Sequence, residues 1–214
     1  MRYRLPAAGL AVLLFVSACA VVSGSGQVAS QAPQVSGFTK IELSGPGELT
    51  IEQGGTESLT IEADDNVLPR LTSEVSDGTL KLDKKRGITL QPRTPIRYRV
   101  TLKDLTGLEI SGSATVRGEG MRLQSLRLEI SGSGVVNLSG SAAEQDIEVS
   151  GSGRYEAAEL PSEKVQADIS GSGQVAVAVS RELKVDISGS GSLTYSGDPS
   201  VQQDVSGSGR VIKK

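Results

Sequence analysis

The chain of 214 residues carries 22 Lys and Arg against 25 Asp and Glu, no His, one Cys and only 3% aromatic residues. That composition excludes a disulfide-built scaffold, removes the commonest general base and metal ligand, and argues against a nucleic-acid partner. Glycine supplies 26 residues, many in regular pairs; each would cost about 1 kcal/mol inside a helix, so a helical chain is excluded as well.

Arg2 and Arg4, the apolar run 7–16 and the small pair Ser17-Ala18 predict a signal peptide over 1–18, because the run is too short to span a bilayer. Val16-Ser17-Ala18-Cys19 resembles a bacterial lipobox, which makes Cys19 the expected lipidated first residue of the mature chain. Ala20 after it resembles lipoproteins sorted to the outer membrane. Removing 1–18 takes away two arginines and no acid, leaving 20 cations against 25 anions and a net charge of −5. Residues 19–37, built of Ser, Gly, Gln, Ala, Val and Pro, read as a lipidated Cys followed by a flexible tether. Ser23-Gly24-Ser25-Gly26 within it lacks apolar and acidic flanks and reads as linker.

From residue 38 onward a β domain is expected, irregular over 38–105 and regular over 106–214. Alternation predicts strands at 40–43, 49–52, 58–62, 79–83 and 96–102, with a turn or short helical piece over 64–72. Asp77-Gly78 signals a hairpin between 71–75 and 80–82, and the basic, proline-containing stretch 84–95 reads as an exposed loop.

The second half repeats one phrase: an acid, a β-branched residue, then Ser-Gly-Ser-Gly. Its first serines are Ser131, Ser150, Ser170, Ser188 and Ser206, preceded by a degenerate copy at Ser111 and a distant one at Ser44. From Ser111 the intervals are 20, 19, 20, 18 and 18 residues, the length of one β-solenoid coil. One residue before each first serine stand Leu43, Ile110, Ile130, Val149, Ile169, Ile187 and Val205; five after stand Leu49, Val116, Val136, Tyr155, Val175, Leu193 and Val211. That parity is the inside, the glycines fall on it, and the serines point outward. The expected fold is all-β, a single-stranded parallel β-helix of 18–20-residue coils.

The residues from Phe38 onward resemble a bacterial family of unknown function, the putative auto-transporter adhesin head GIN domain. The resemblance rests on Ser58-Leu59-Thr60-Ile61-Glu62, Asp65-Asn66-Val67-Leu68-Pro69, Ser76-Asp77-Gly78-Thr79-Leu80 and the Ile-Ser-Gly-Ser-Gly coils. It implies a right-handed β-helix on the cell envelope and transfers no catalytic residue.

Two outward columns are candidates for function. Glu42, Glu109, Glu129, Glu148, Asp168, Asp186 and Asp204 stand two residues before each first serine. They read either as a solvated ladder offset by Lys40, Arg127, Lys184, Arg154 and Arg210, or as hard ligands for a divalent cation. Calcium is not expected, since the calcium β-roll phrase needs Asp where Val136, Tyr155, Val175, Leu193 and Val211 stand. Ser133, Ser152, Ser172, Ser190 and Ser208 form either a hydroxyl face for sugar or protein, or small residues suited to turns. Catalysis by paired carboxylates is disfavoured, because an active site needs one position unlike the rest. The reading is a non-enzymatic outer-membrane lipoprotein, anchored at Cys19, without a cofactor and presenting its β-helix to an envelope protein or glycan. A carbohydrate-active or cation-dependent β-helix enzyme and a passive spacer are the alternatives.

Overall fold

Two-residue alternation of apolar and polar side chains produces strand almost everywhere, interrupted by glycine turns. The computed structural model describes residues 20–214; the expected signal peptide and Cys19 lie outside the described residues. The first half contains β1 (Ala20–Ser23), β2 (Val28–Gln31), β3 (Lys40–Ser44), β4 (Glu48–Gln53) and β5 (Ser58–Asp64), then a 3-10 turn at Leu68–Arg70. It continues with β6 (Leu71–Ser76), β7 (Thr79–Lys84), β8 (Ile88–Gln91) and β9 (Arg97–Leu102). The repeats follow as β10 (Gly107–Gly112), β11 (Thr115–Gly132), β12 (Val135–Gly151), β13 (Arg154–Gly171), β14 (Gln174–Gly189), β15 (Ser192–Ser196), β16 (Ser200–Gly207) and β17 (Arg210–Lys213).

The repeats stack as a β-solenoid of about five turns. Equivalent residues of successive phrases pair in parallel register: Ile110 with Ile130, Ile130 with Val149, Val149 with Ile169, Ile169 with Ile187 and Ile187 with Val205. Both inward columns read from the sequence are buried, from Leu43 to Ile187 and from Leu49 to Leu193. On the last coil the same parity loses its cover: Val201 and Val205 of β16 are 39% and 38% exposed.

The two glycines of each phrase do different work. The first turns the chain at positive φ, +107° at Gly151 and +105° at Gly171, and a Cβ on Gly151 would lie 2.7 Å from the Gly132 carbonyl oxygen. The second permits close approach instead: a Cβ on Gly153 would lie 2.5 Å from Ile130 Cγ2 of the preceding coil. Ala114 takes that second place in the degenerate copy and is fully buried. The residue of the preceding coil there is Leu43, whose Cβ bears no branch methyl to collide with it.

The N-terminal half covers the open start of this stack. β7 adds in parallel to β3, and β6 returns antiparallel through Asp77 (φ 51°) and Gly78 (φ +72°), the hairpin expected there. β9 adds in parallel to β4, β5 lies antiparallel on β9, and β2 lies antiparallel on β5. Phe38, only 1% exposed, joins the core at the entrance to β3.

Two expectations need correction. Residues 20–31 are not a flexible tether: β1 pairs with β8 and β2 with β5. The stretch 84–95 is not wholly loop, because β8 lies inside it as the partner of β1. The fully buried Asp64 at the end of β5 links the two corrected segments. Its carboxylate accepts backbone hydrogen bonds from Gly26 (2.8 Å), Arg93 (2.8 Å) and Thr94 (3.2 Å), tying the β1–β2 turn to the β8–β9 connection. Burial pushes this carboxyl upward, but the N–H groups of Thr94, Arg93 and Gly26 outweigh that and hold it below the usual carboxylate range. Asn66 Oδ1 accepts from the Ser25 amide, Ser25 Oγ donates to Asp65, and Asn66 Nδ2 donates to the Ser23 carbonyl. A Cβ on Gly24 would collide with the Asp64 carboxylate. The Ser-Gly-Ser-Gly letters at 23–26 therefore have a local role unlike that of the repeats.

Candidate binding face

The sheet made by β3, β10, the second halves of β11 to β14, and β16 turns two chemically uniform columns outward. Parallel register places Glu42 beside Glu109, Glu109 beside Glu129, Glu129 beside Glu148, Glu148 beside Asp168, Asp168 beside Asp186 and Asp186 beside Asp204. Two residues further along each strand, Ser44, Ser111, Ser131, Ser150, Ser170, Ser188 and Ser206 form a parallel hydroxyl column by the same pairings. Rungs repeat at about 4.8 Å. The second serines, among them Ser133, Ser152, Ser172, Ser190 and Ser208, are exposed at the glycine turn, as the parity count predicts.

Compensation of the acidic column is uneven. Lys81 Nζ approaches Glu42 at 3.4 Å, one Arg127 guanidinium bridges Asp146 (2.7 Å) and Glu148 (3.6 Å), and Lys184 lies 3.9 Å from Asp186. Arg154, expected beside this column, instead meets Glu156 two residues along β13 at 3.9 Å. Among the described residues, Glu109, Glu129, Asp168 and Asp204 have no ion-pair partner within 4.0 Å, and neither Lys40 nor Arg210 pairs with an acid. Partial burial, then the facing Glu129 and Glu42 carboxylates, raise the Glu109 pKa above its ordinary value, with Lys81 opposing them.

Open grooves follow the columns. One of about 230 Å³ is lined by Asp168, Asp186 and Asp204 together with Ser170, Ser188 and Ser206. A larger one, about 480 Å³, lies at the adjoining corner between Arg127, Glu144, Asp146, Lys164, Glu182 and Lys184. Carboxylates accept hydrogen bonds only, whereas hydroxyls both donate and accept. A surface alternating the two can hold a polyhydroxylated or cationic ligand at several rungs at once. Among the described residues no group of three or more His, Cys, Asp or Glu side chains is placed to hold a metal ion.

The sequence profile described as "Putative auto-transporter adhesin, head GIN domain" matches residues 37–199. The chain belongs to this family. Solved structures share the fold of this head GIN domain. A putative adhesin from Bacteroides fragilis is 22% identical with a TM-score of 0.75, covering 90% of this chain and 100% of its own. A putative lipid binding protein from Parabacteroides distasonis is 23% identical with a TM-score of 0.58, covering 91% and 99%. A putative adhesin from Parabacteroides merdae is 22% identical with a TM-score of 0.54, covering 91% and 99%. No curated protein matches the chain.

Sequence reasoning located both outward columns and missed two polar constellations. One is the Asp64 clamp, signalled only by the run Asp64-Asp65-Asn66. The other is a buried chain inside the coils: Tyr155 donates its hydroxyl to Gln145 Oε1 at 2.6 Å, and Gln145 Nε2 donates to Ser162 Oγ at 2.5 Å. Ser162 Oγ in turn donates to the Leu160 carbonyl at 3.1 Å. Tyr155 lies inside, as its column predicts, and the polar partner it needs there has no signal in the repeat.

Proposed function

We propose that this head GIN domain protein is a non-enzymatic cell-envelope lipoprotein, anchored in the outer membrane through Cys19 after loss of residues 1–18. Its β-helix presents the carboxylate–hydroxyl face to an envelope glycan or protein, so that it acts in adhesion or envelope assembly. The observation that carries this reading is the continuous in-register acidic column beside the serine column. Like charges stacked on a sheet cost stability, and an outward-facing column that served folding alone could be built from small neutral residues. Every rung of this one is acidic, and four of them lack a close cation. The acid recurs at every rung instead of standing at one position, which favours recognition over catalysis. The family description and the adhesins among its structural relatives support the same class.

The test is a binding screen of the chain from residue 20 against glycans and solubilised envelope fractions, with calcium and with chelator. Saturable binding to one glycan or one envelope protein is expected. Loss of that binding in chelator would make the acidic column a cation site, and absence of binding under both conditions would leave a passive spacer. Anchoring is tested separately: labelled palmitate should enter the wild-type protein and not the Cys19→Ser variant.

A further inference from the structure

The sequence from Lys84 to Lys103 contains seven Lys or Arg and no Asp or Glu, in a mature chain whose net charge is negative. Two of these cations, Arg97 and Arg99, are paired with Glu48 and Glu52 across the β4–β9 ladder. Lys84, Lys85 and Arg86 have no ion pair among the described residues, and neither does Arg70. The fold gathers these four. Leu71 at the start of β6 pairs with Lys84 at the end of β7, and the Lys85 amide donates to the Arg70 carbonyl at 2.8 Å. Asp83, next to Lys84, is the acid of this corner, and its Oδ1 accepts the Lys84 amide at 2.7 Å.

The same corner receives β1, the first of the described strands. Ala20 is in register with Ile88, one strand spacing of about 4.8 Å away, and Arg86 lies two residues before Ile88. Cys19 is one peptide unit, about 3.8 Å, from Ala20. A chain held at Cys19 thus has no slack with which to stand off the bilayer, because the segment expected as tether is folded into β1 and β2. Arg86 is at most two Cα steps of about 3.8 Å from Ile88, so the nearest cation of the corner has its Cα within about 12 Å of Ala20. The acidic column, in contrast, runs along the stack through the C-terminal coils.

We propose that the corner formed by Arg70, Lys84, Lys85 and Arg86, beside which β1 begins, docks on anionic phospholipid headgroups and fixes the orientation of the β-helix on the membrane. The inference rests on the proposed anchoring at Cys19 and does not depend on the ligand of the acidic face. Acyl chains at Cys19 would hold the protein at the bilayer without fixing which face meets it, and an adjacent basic patch supplies that orientation. Docking the basic corner turns the acidic coils away from a surface of the same sign.

The experiment is co-sedimentation of a Cys19→Ser chain beginning at residue 19, which retains every described strand and carries no lipid. Vesicles of phosphatidylglycerol and phosphatidylcholine are compared with vesicles of phosphatidylcholine alone. Binding is expected on the anionic vesicles, weakening as salt is raised, and not on the neutral ones. Each cation near such a surface contributes a factor of about five, so K84Q/K85Q/R86Q should weaken partitioning roughly a hundredfold while its thermal melt stays unchanged. R181Q/R210Q/K214Q, with the same charge change on the C-terminal coils and away from the carboxylate–serine face, should retain wild-type partitioning. Absence of wild-type binding, equal binding to neutral vesicles, or equal loss in both triple variants would overturn the proposal. None of these outcomes bears on the glycan and envelope-protein screen, so the two readings fail separately.

Discussion

The coils from β10 onward and the cap before them enclose one continuous core by opposite means. In the coils each residue meets its own equivalent in the next turn, so Ile130 packs between Ile110 and Val149 and one phrase serves every turn. In the cap, strands of both directions converge and each contact is made once, as at Asp64, whose three amide donors come from two different connections. The coils thus rest on volume and backbone approach repeated at every turn, and the cap on a few polar residues used once.

That contrast can be broken at either end. The largest effect is expected from Gly151→Ala, which combines strain at φ +107° with a Cβ placed 2.7 Å from the Gly132 carbonyl. Strain and overpacking together should remove about 4 kcal/mol, read as a lowered midpoint in denaturant titration. Gly207→Ala, with a similar φ of +113° and a Cβ 2.5 Å from the Gly189 carbonyl oxygen, should nonetheless cost less, because β16 can move outward from that contact with no described coil beyond it. Asp64→Ala should lower the melting temperature by less than Gly151→Ala. Its signature should be regional: faster amide exchange in β1, β2 and β8, with protection in β12 and β13 unchanged. Exchange that rises equally in the coils would contradict a self-contained cap.

Tyr155→Phe tests the buried polar chain within the coils. It leaves Gln145 Oε1 without the 2.6 Å donor it has now, and a stranded buried acceptor costs about 1–3 kcal/mol. A variant as stable as wild type would mean that water or a rotated Gln145 replaces the hydroxyl.

The smallest effect separates the two regions by pH. Asp64 has a folded pKa below its ordinary 3.8, so its contribution is present above that value and lost as pH falls below it. Glu109 has a folded pKa above its ordinary 4.5, so the folded state binds its proton more readily and gains stability as pH falls toward that range. Thermal melts should therefore rise slightly from neutral to mildly acidic pH and fall below about pH 4. Glu109→Gln should flatten the rise and leave the fall. Asp64→Asn should reduce the fall and leave the rise.

The coils were legible in the sequence because their constraint recurs: the same β-branched residue, turn glycine and packing glycine return at every turn. Even the exception at Ala114 follows the rule once Leu43 is seen beneath it. The acidic and serine columns were legible for the same reason, as was the Asp77-Gly78 hairpin, whose turn chemistry is local. The cap was not legible, because its strands are short and its determinants lie far apart in the chain. Ser23–Gly26 looks like linker until Asp64 to Asn66, about 40 positions away, supply its partners. The basic stretch 84–95 looks like loop until β1 is laid against it. The uneven pairing of the acidic column also escaped the sequence, since parity says which side an arginine faces but not which acid it reaches; Arg154 chose Glu156.

The central claim, that the carboxylate–serine face is a recognition surface, is tested most directly by titrating the ligand recovered from the binding screen against D168N/D186N/D204N. This variant neutralises the groove between Asp168 and Ser206 without changing its shape. The account predicts a variant at least as stable as wild type that has lost most of its affinity. Affinity equal to wild type in a folded variant would contradict it and would move recognition to another face of the solenoid.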